Sequence, residues 1–170
     1  MYNYRGITLL NVIHKSFACL IYNRLTKYSE LTLGEYQTGF RPIRSTIDQI
    51  HVLRQILEKG YGFGIELHNI FIDFKQAFEK VNRPKIYESL KVLKIPTKLI
   101  KLVKTNSRAV VEVYQGRTDV FNINNGLRHG DTLSTILFNL ALEEALLKID
   151  LRGNIVLELN NSVPMRTMLS

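Results

Sequence analysis

The sequence has one cysteine in 170 residues, Cys19, which rules out an internal disulfide and a thiolate cluster for a metal. It fits a reducing compartment without requiring one. No apolar run is long enough to cross a bilayer as a helix, and the N-terminus lacks a signal peptide's layout, so no membrane partner is expected. The four histidines, at 14, 51, 68 and 129, show no metal-ligand spacing, and no Ser/His/Asp or Cys/His set suggests hydrolysis. Internal repeats, low-complexity tracts and convincing linkers are absent as well. Acidic residues are in deficit: 15 Asp and Glu stand against 23 Lys and Arg, a formal net charge of +8. The average field over such a surface attracts polyanions, of which nucleic acid is the commonest.

With 45% hydrophobic residues, this length favours one domain with a sizeable core. Apolar residues at helical spacing (Leu9, Ile13, Phe17, Leu20, Ile21, Leu25) predict an amphipathic helix over 9–28. Ser45 and Asp48 resemble a capping pair, and Ile50, Leu53 and Leu57 then line a second helix up to Gly60. The continuous apolar stretch at 70–74, interrupted only by Asp73, reads as a strand covered on both faces. Pro84 opens a helix through Lys94, and Pro96 with Thr97 another through Lys104. Alternation on either side of Gly116 predicts a hairpin. Residues 132–149, TLSTILFNLALEEALLKI, form a helix apolar on nearly every face, and one strand is expected at 155–159 in a tail otherwise thin in signal.

Asp73 sits between Ile72 and Phe74, where desolvating a carboxylate is costly unless it is paired, hydrogen-bonded or bound to a cation. One reading makes it a helix cap or ion-pair partner at a strand end. The other makes it a magnesium ligand, since Mg²⁺ prefers hard oxygen donors, usually one or two carboxylates plus water and substrate phosphates.

Four segments occur in order: NYRGITLL at 3–10, QTGFRPIRSTIDQI at 37–50, FIDFKQAF at 71–78 and GLRHGDTLSTILFNLAL at 126–142. As an ordered set they resemble the reverse transcriptase domain of non-LTR (LINE-type) retrotransposons. The resemblance implies an α+β fold, the fingers and partial palm of a right-hand polymerase, with an antiparallel palm sheet packed on helices. By that likeness residues 1–66 are fingers-like, 67–150 a partial palm and 151–170 a degenerate or truncated palm tail. It implies RNA template, DNA primer and deoxynucleotide triphosphates as partners, and Mg²⁺ or Mn²⁺ as cofactor. Asp73 matches the first metal-binding aspartate, and the Phe74 carbonyl would help to hold the second ion. Arg41 and Arg44 match the basic pair on the incoming triphosphate, with Arg5 a further nucleic-acid contact. Phe78 matches the aromatic residue that excludes a 2′-hydroxyl. Gly126 and Gly130 would let template and nucleotide approach the backbone, beside His129.

The likeness is incomplete. The family's remaining metal ligands lie in a Tyr/Phe-Ala-Asp-Asp turn, and that turn does not occur in these 170 residues. His129 stands where glutamine is usual, Thr135 where proline is usual and Glu79 where aspartate is usual. The expectation is therefore a truncated RNA-directed DNA polymerase, inactive as an isolated chain. A non-catalytic nucleic-acid-binding remnant and a functionless relic are the competing readings. The 132–149 helix is expected to want apolar partners that missing strands and a thumb would supply.

Overall fold

The computed structural model describes residues 8–104, 107–114, 116–148, 154–158 and 164–169. Helix α1, Val12–Thr32, starts at Asn11, whose Oδ1 accepts the His14 amide at 2.7 Å. Its buried face is Ala18, Ile21, Leu25 and Ser29, at spacings of three and four, and small residues at both ends of that stripe suit close packing on α5. Only Ile21 and Leu25 of the expected stripe are buried. Leu9 precedes the helix, and Ile13, Phe17 and Leu20 are exposed, because the helix carries two apolar stripes and its neighbours cover one. Helix α2, Thr46–Gly62, is capped by Ser45, whose Oγ accepts the Ile47 amide at 3.1 Å. It buries Gln49 and Gly60 and leaves Ile50 and Leu57 exposed, contrary to their expected inward face.

Strand β1 is Leu67–Ile70, earlier and shorter than expected. Beyond it Phe71, Ile72 and Phe74 are 71%, 49% and 44% exposed, so the run is not covered on both faces. The reason is the register: strand pairing ends at Ile70, and the chain turns at 75–80. Helices α3, Arg83–Val92, and α4, Thr97–Val103, follow the two proline signals, with the Asn82 side chain accepting the Lys85 amide at 3.2 Å. Strands β2, Ser107–Ala109, and β5, Phe121–Ile123, pair antiparallel outside a second pair, β3, Glu112–Val113, and β4, Gly116–Arg117, the nested hairpin that the alternation predicts.

Helix α5, Thr132–Leu147, begins at Asp131, which accepts the Leu133 amide at 3.1 Å. Two further strands, β6, Asn154–Glu158, and β7, Pro164–Leu169, complete a three-stranded antiparallel sheet of order β1-β7-β6 with Ile70 opposite Arg166. The second of these strands is absent from the sequence reading. Leu25, Ile86, Leu90 and Leu140 are wholly buried where α1, α3 and α5 meet, and α4 adds Leu99, Ile100 and Val103. The opposite side of α5 carries a smaller cluster of Phe138, Leu142 and Leu146 against Phe78 and Ala77. Helix α5 thus finds its apolar partners within this chain, contrary to expectation.

Candidate nucleotide site

Two segments far apart in sequence close on each other above α5. The Gly126 amide donates to the Val81 carbonyl at 2.8 Å and the Leu127 amide to the Phe78 carbonyl at 2.7 Å, which fixes the 126–131 loop to the turn after Asp73. Arg83 clamps the same place, its Nε donating to the Gly126 carbonyl at 2.7 Å and its Nη1 to the Ile123 carbonyl at 3.0 Å. Gly126 has φ of +78°, and a Cβ there would lie 2.6 Å from the Glu79 carbonyl oxygen. The backbone that needs this glycine is thus the protein's own, where the sequence suggested a nucleic-acid strand. Gly130 differs: its φ is +85°, and the nearest atom to an added Cβ is the Thr8 carbonyl at 3.7 Å, so its surroundings are open.

The side chains on this clasp form an aromatic stack. The Phe78 ring lies 5.1 Å from that of Phe138 and 5.7 Å from the His129 imidazole, and Phe74 meets Phe138 edge-on at 6.2 Å. The Nε2 of His129 is 3.0 Å from Glu79 Oε1. Phe74, Phe78, His129 and Gly126 are therefore brought together, with Asp73 one residue from Phe74. Asp73 is exposed, and among the described residues no capping or ion-pairing partner is found for it. No group of three His, Cys, Asp or Glu suited to a metal ion exists among the described residues. One carboxylate and the Phe74 carbonyl do not fit a two-ion centre, which needs several converging carboxylates.

The basic pair divides. The Arg41 guanidinium is buried, its Nη2 donating to Glu30 Oε2 at 2.8 Å, its Nε to Glu30 Oε1 at 3.3 Å, and its Nη1 to the Gly34 and Gln37 carbonyls. Reaching a triphosphate would require giving up Glu30, so its placement is that of a loop fastener. Arg44 is at the surface, paired with the exposed Glu35 at 2.7 Å. Between and beside them Phe40 and Ile43 hold φ of +52° and +61°, a costly conformation for a β-branched residue. The loop is anchored to α5 by Asn139 Nδ2 donating to the Gly39 carbonyl at 2.7 Å and Gln37 Nε2 donating to the Asn139 carbonyl at 3.2 Å. Arg5 lies outside the described residues.

Sequence reasoning missed Arg83, Arg128 and His14. They line a pocket on the other side of α5, with Asp131 and an apolar floor that includes Ile21, Ile86 and Leu137. His14 Nε2 is 3.2 Å from Asp131 Oδ2 and 3.3 Å from Arg128 Nη1. Burial lowers the Arg83 pKa, opposed by Tyr87 and helped by the like charge of Arg128. The only sequence signal for Arg128 was the charge of GLRHGD; its partner His14 lies 114 residues away, and Arg83 meets Ile123 and Gly126 across 40 and 43 residues.

Residues 1–159 match the family described as reverse transcriptase (RNA-dependent DNA polymerase). The chain belongs to the reverse transcriptase family. Among curated relatives, the Pol polyprotein of the type-1 retrotransposable element R2 of Bradysia coprophila is 25% identical over 152 residues, covering 88% of this chain and 17% of the relative. The probable RNA-directed DNA polymerase of transposon BS of Drosophila melanogaster is 28% identical over 142 residues, covering 81% and 16%. The polymerase of mobile element jockey of Drosophila funebris is 29% identical over 148 residues, with the same two shares of 81% and 16%. The likeness to retrotransposon reverse transcriptases is thus borne out, and the chain spans less than a fifth of these relatives. Telomerase of Candida tropicalis, solved with a fragment of telomeric RNA, superposes with a TM-score of 0.62 over 94% of this chain and 30% of that one at 13% identity. Telomerase of Candida albicans gives 0.59 over 89% and 30% at 12% identity. At such identities the likeness speaks for fold alone: the chain, helices with a small antiparallel sheet, shares the fold of about a third of each of these telomerase chains.

Proposed function

We propose that this chain is the nucleotide- and template-binding part of an RNA-directed DNA polymerase of a non-LTR retrotransposon, with residues 1–66 acting as fingers and 67–150 as a partial palm. The observation that carries the reading is the clasp between the Asp73 segment and the 126–131 loop, which sets Phe78, His129 and the open Gly130 on one rigid helix. Phe78, held between two rings, offers the apolar wall against which a deoxyribose packs and a 2′-hydroxyl would be left unpaired. Arg44 contributes a phosphate contact from the strained 39–44 loop, and Arg41 acts through that loop by fixing its shape. Arg5 and the excess of lysine and arginine add template contacts that read charge rather than sequence.

Asp73 serves as one metal-facing carboxylate in the complete polymerase. The sequence lacks the family's Ala-Asp-Asp turn, and on this reading the 170-residue chain is expected to bind template–primer without extending it. The test is a titration of a fluorescent RNA–DNA template–primer at two salt concentrations. Affinity that falls steeply with salt, and an Arg44→Ala slope reduced by about one, are the expected results. Salt-independent binding would remove the electrostatic groove, and primer extension by the unmodified chain that survives Asp73→Asn would remove the assignment of Asp73.

A further inference from the structure

Glu79 and His129 are 50 residues apart in sequence. In the fold they touch: His129 Nε2 lies 3.0 Å from Glu79 Oε1. Each side chain's reach and chemistry suit the other: the imidazole can donate and the carboxylate accept.

Both side chains are about one-third exposed, 32% and 33%, and so exposed a pair adds little to stability. What the contact does is orient. One nitrogen of the imidazole is held by the carboxylate while the ring packs at 61° against Phe78, with centroids 5.7 Å apart. Phe78 leans on Phe138 at its other contact, 5.1 Å away, so its position is set from both sides. The backbone beneath is already fixed, since the Leu127 amide donates to the Phe78 carbonyl. The remaining freedom at this point is the side-chain torsion of Phe78, which His129 limits on one side and Phe138 on the other.

We infer that Glu79 and His129 form a positioning pair that holds the Phe78 ring and thereby sets the preference for deoxyribonucleotides over ribonucleotides. The inference rests on the nucleotide-site reading above for its consequence, though not for its geometry. Glu79 touches no substrate in this scheme; it acts through His129, and His129 through Phe78.

The experiment has two arms on the full 170-residue chain. In the first, dATP and ATP affinities are measured for wild type, Glu79→Ala, His129→Ala and the double variant. Each single change should lower the dATP preference by roughly threefold or more, the double change should lower it no further, and Glu79→Gln, which keeps an acceptor oxygen at the same reach, should restore it. In the second arm the Phe78 ring resonances are followed by NMR without nucleotide. Glu79→Ala and His129→Ala should shift them alike, and Glu79→Gln should not. Unchanged Phe78 resonances in the alanine variants, or strictly additive effects on the dATP preference, would overturn the pair. A wild-type chain that binds neither nucleotide would sink the proposed function, and the NMR arm would still decide the pairing.

Discussion

The helical core and the segment around Asp73 are equally apolar in sequence and end in opposite places. Leu25, Leu90 and Leu140 are 0% exposed among three helices, whereas Phe63 and Phe71 are 80% and 71% exposed. Hydrophobicity states a need for cover, and three-dimensional closure decides whether it is met. The core meets it with four helices at two-faced α5. The 63–74 stretch pairs with β7 over 67–70 and sets Phe74 edge-on to Phe138, yet it leaves Ile65, Ile70 and Ile72 exposed, an apolar surface beside Asp73.

The comparison can be broken most sharply by truncating one side chain from each region. Leu140→Ala should cost about 3 kcal/mol in urea unfolding, since a fully buried leucine leaves a cavity, and Phe71→Ala within about 0.5 kcal/mol. Equal costs would mean that the exposed run is covered in solution. The glycines offer the next contrast. Gly126→Ala should cost about 2 kcal/mol or more, from its positive φ and the Glu79 carbonyl at 2.6 Å, while Gly62→Ala, at the end of α2 with open space around it, should be neutral or stabilising by about 0.5 kcal/mol. The arginines sharpen it on a third scale. Arg41→Ala should cost about 2 kcal/mol of stability, and Arg44→Ala within about 0.5 kcal/mol. For duplex binding the order should reverse at high temperature margin, with folded Arg44→Ala weaker than wild type.

Much of this was legible beforehand, for stated reasons. Helix α5 was read to within two residues of its end because an all-apolar helix needs no choice of face, and Asp131 marks its start. The nested hairpin followed from period-two alternation around Gly116. The buried stripe of α1 did not follow, because hydrophobic spacing shows which faces are able to be buried and the partner selects between them. The strand at 70–74 failed for a related reason: a continuous apolar run looks the same whether it is sandwiched or open. At the site, the motif order placed Asp73, Phe78 and the 126–131 loop in one likeness, but the Glu79–His129 contact and the Arg83 clamp join residues 50 and 43 apart, and local sequence carries no signal for either. Arg41 shows the limit of motif matching, since a guanidinium suited to phosphate is equally suited to two loop carbonyls and a neighbouring glutamate.

The account depends on the 75–81 turn and the 126–131 loop acting as one nucleotide-holding unit on α5. Amide hydrogen exchange of the 170-residue chain, with and without dATP and a template–primer, tests this directly. The amides of Gly126 and Leu127, which donate across the clasp, should be protected in the free chain, and protection should rise together over 75–81 and 126–131 when ligand is added, with α3 unchanged. Rapid exchange at Gly126 and Leu127, or ligand-induced protection that leaves both segments untouched, would contradict it.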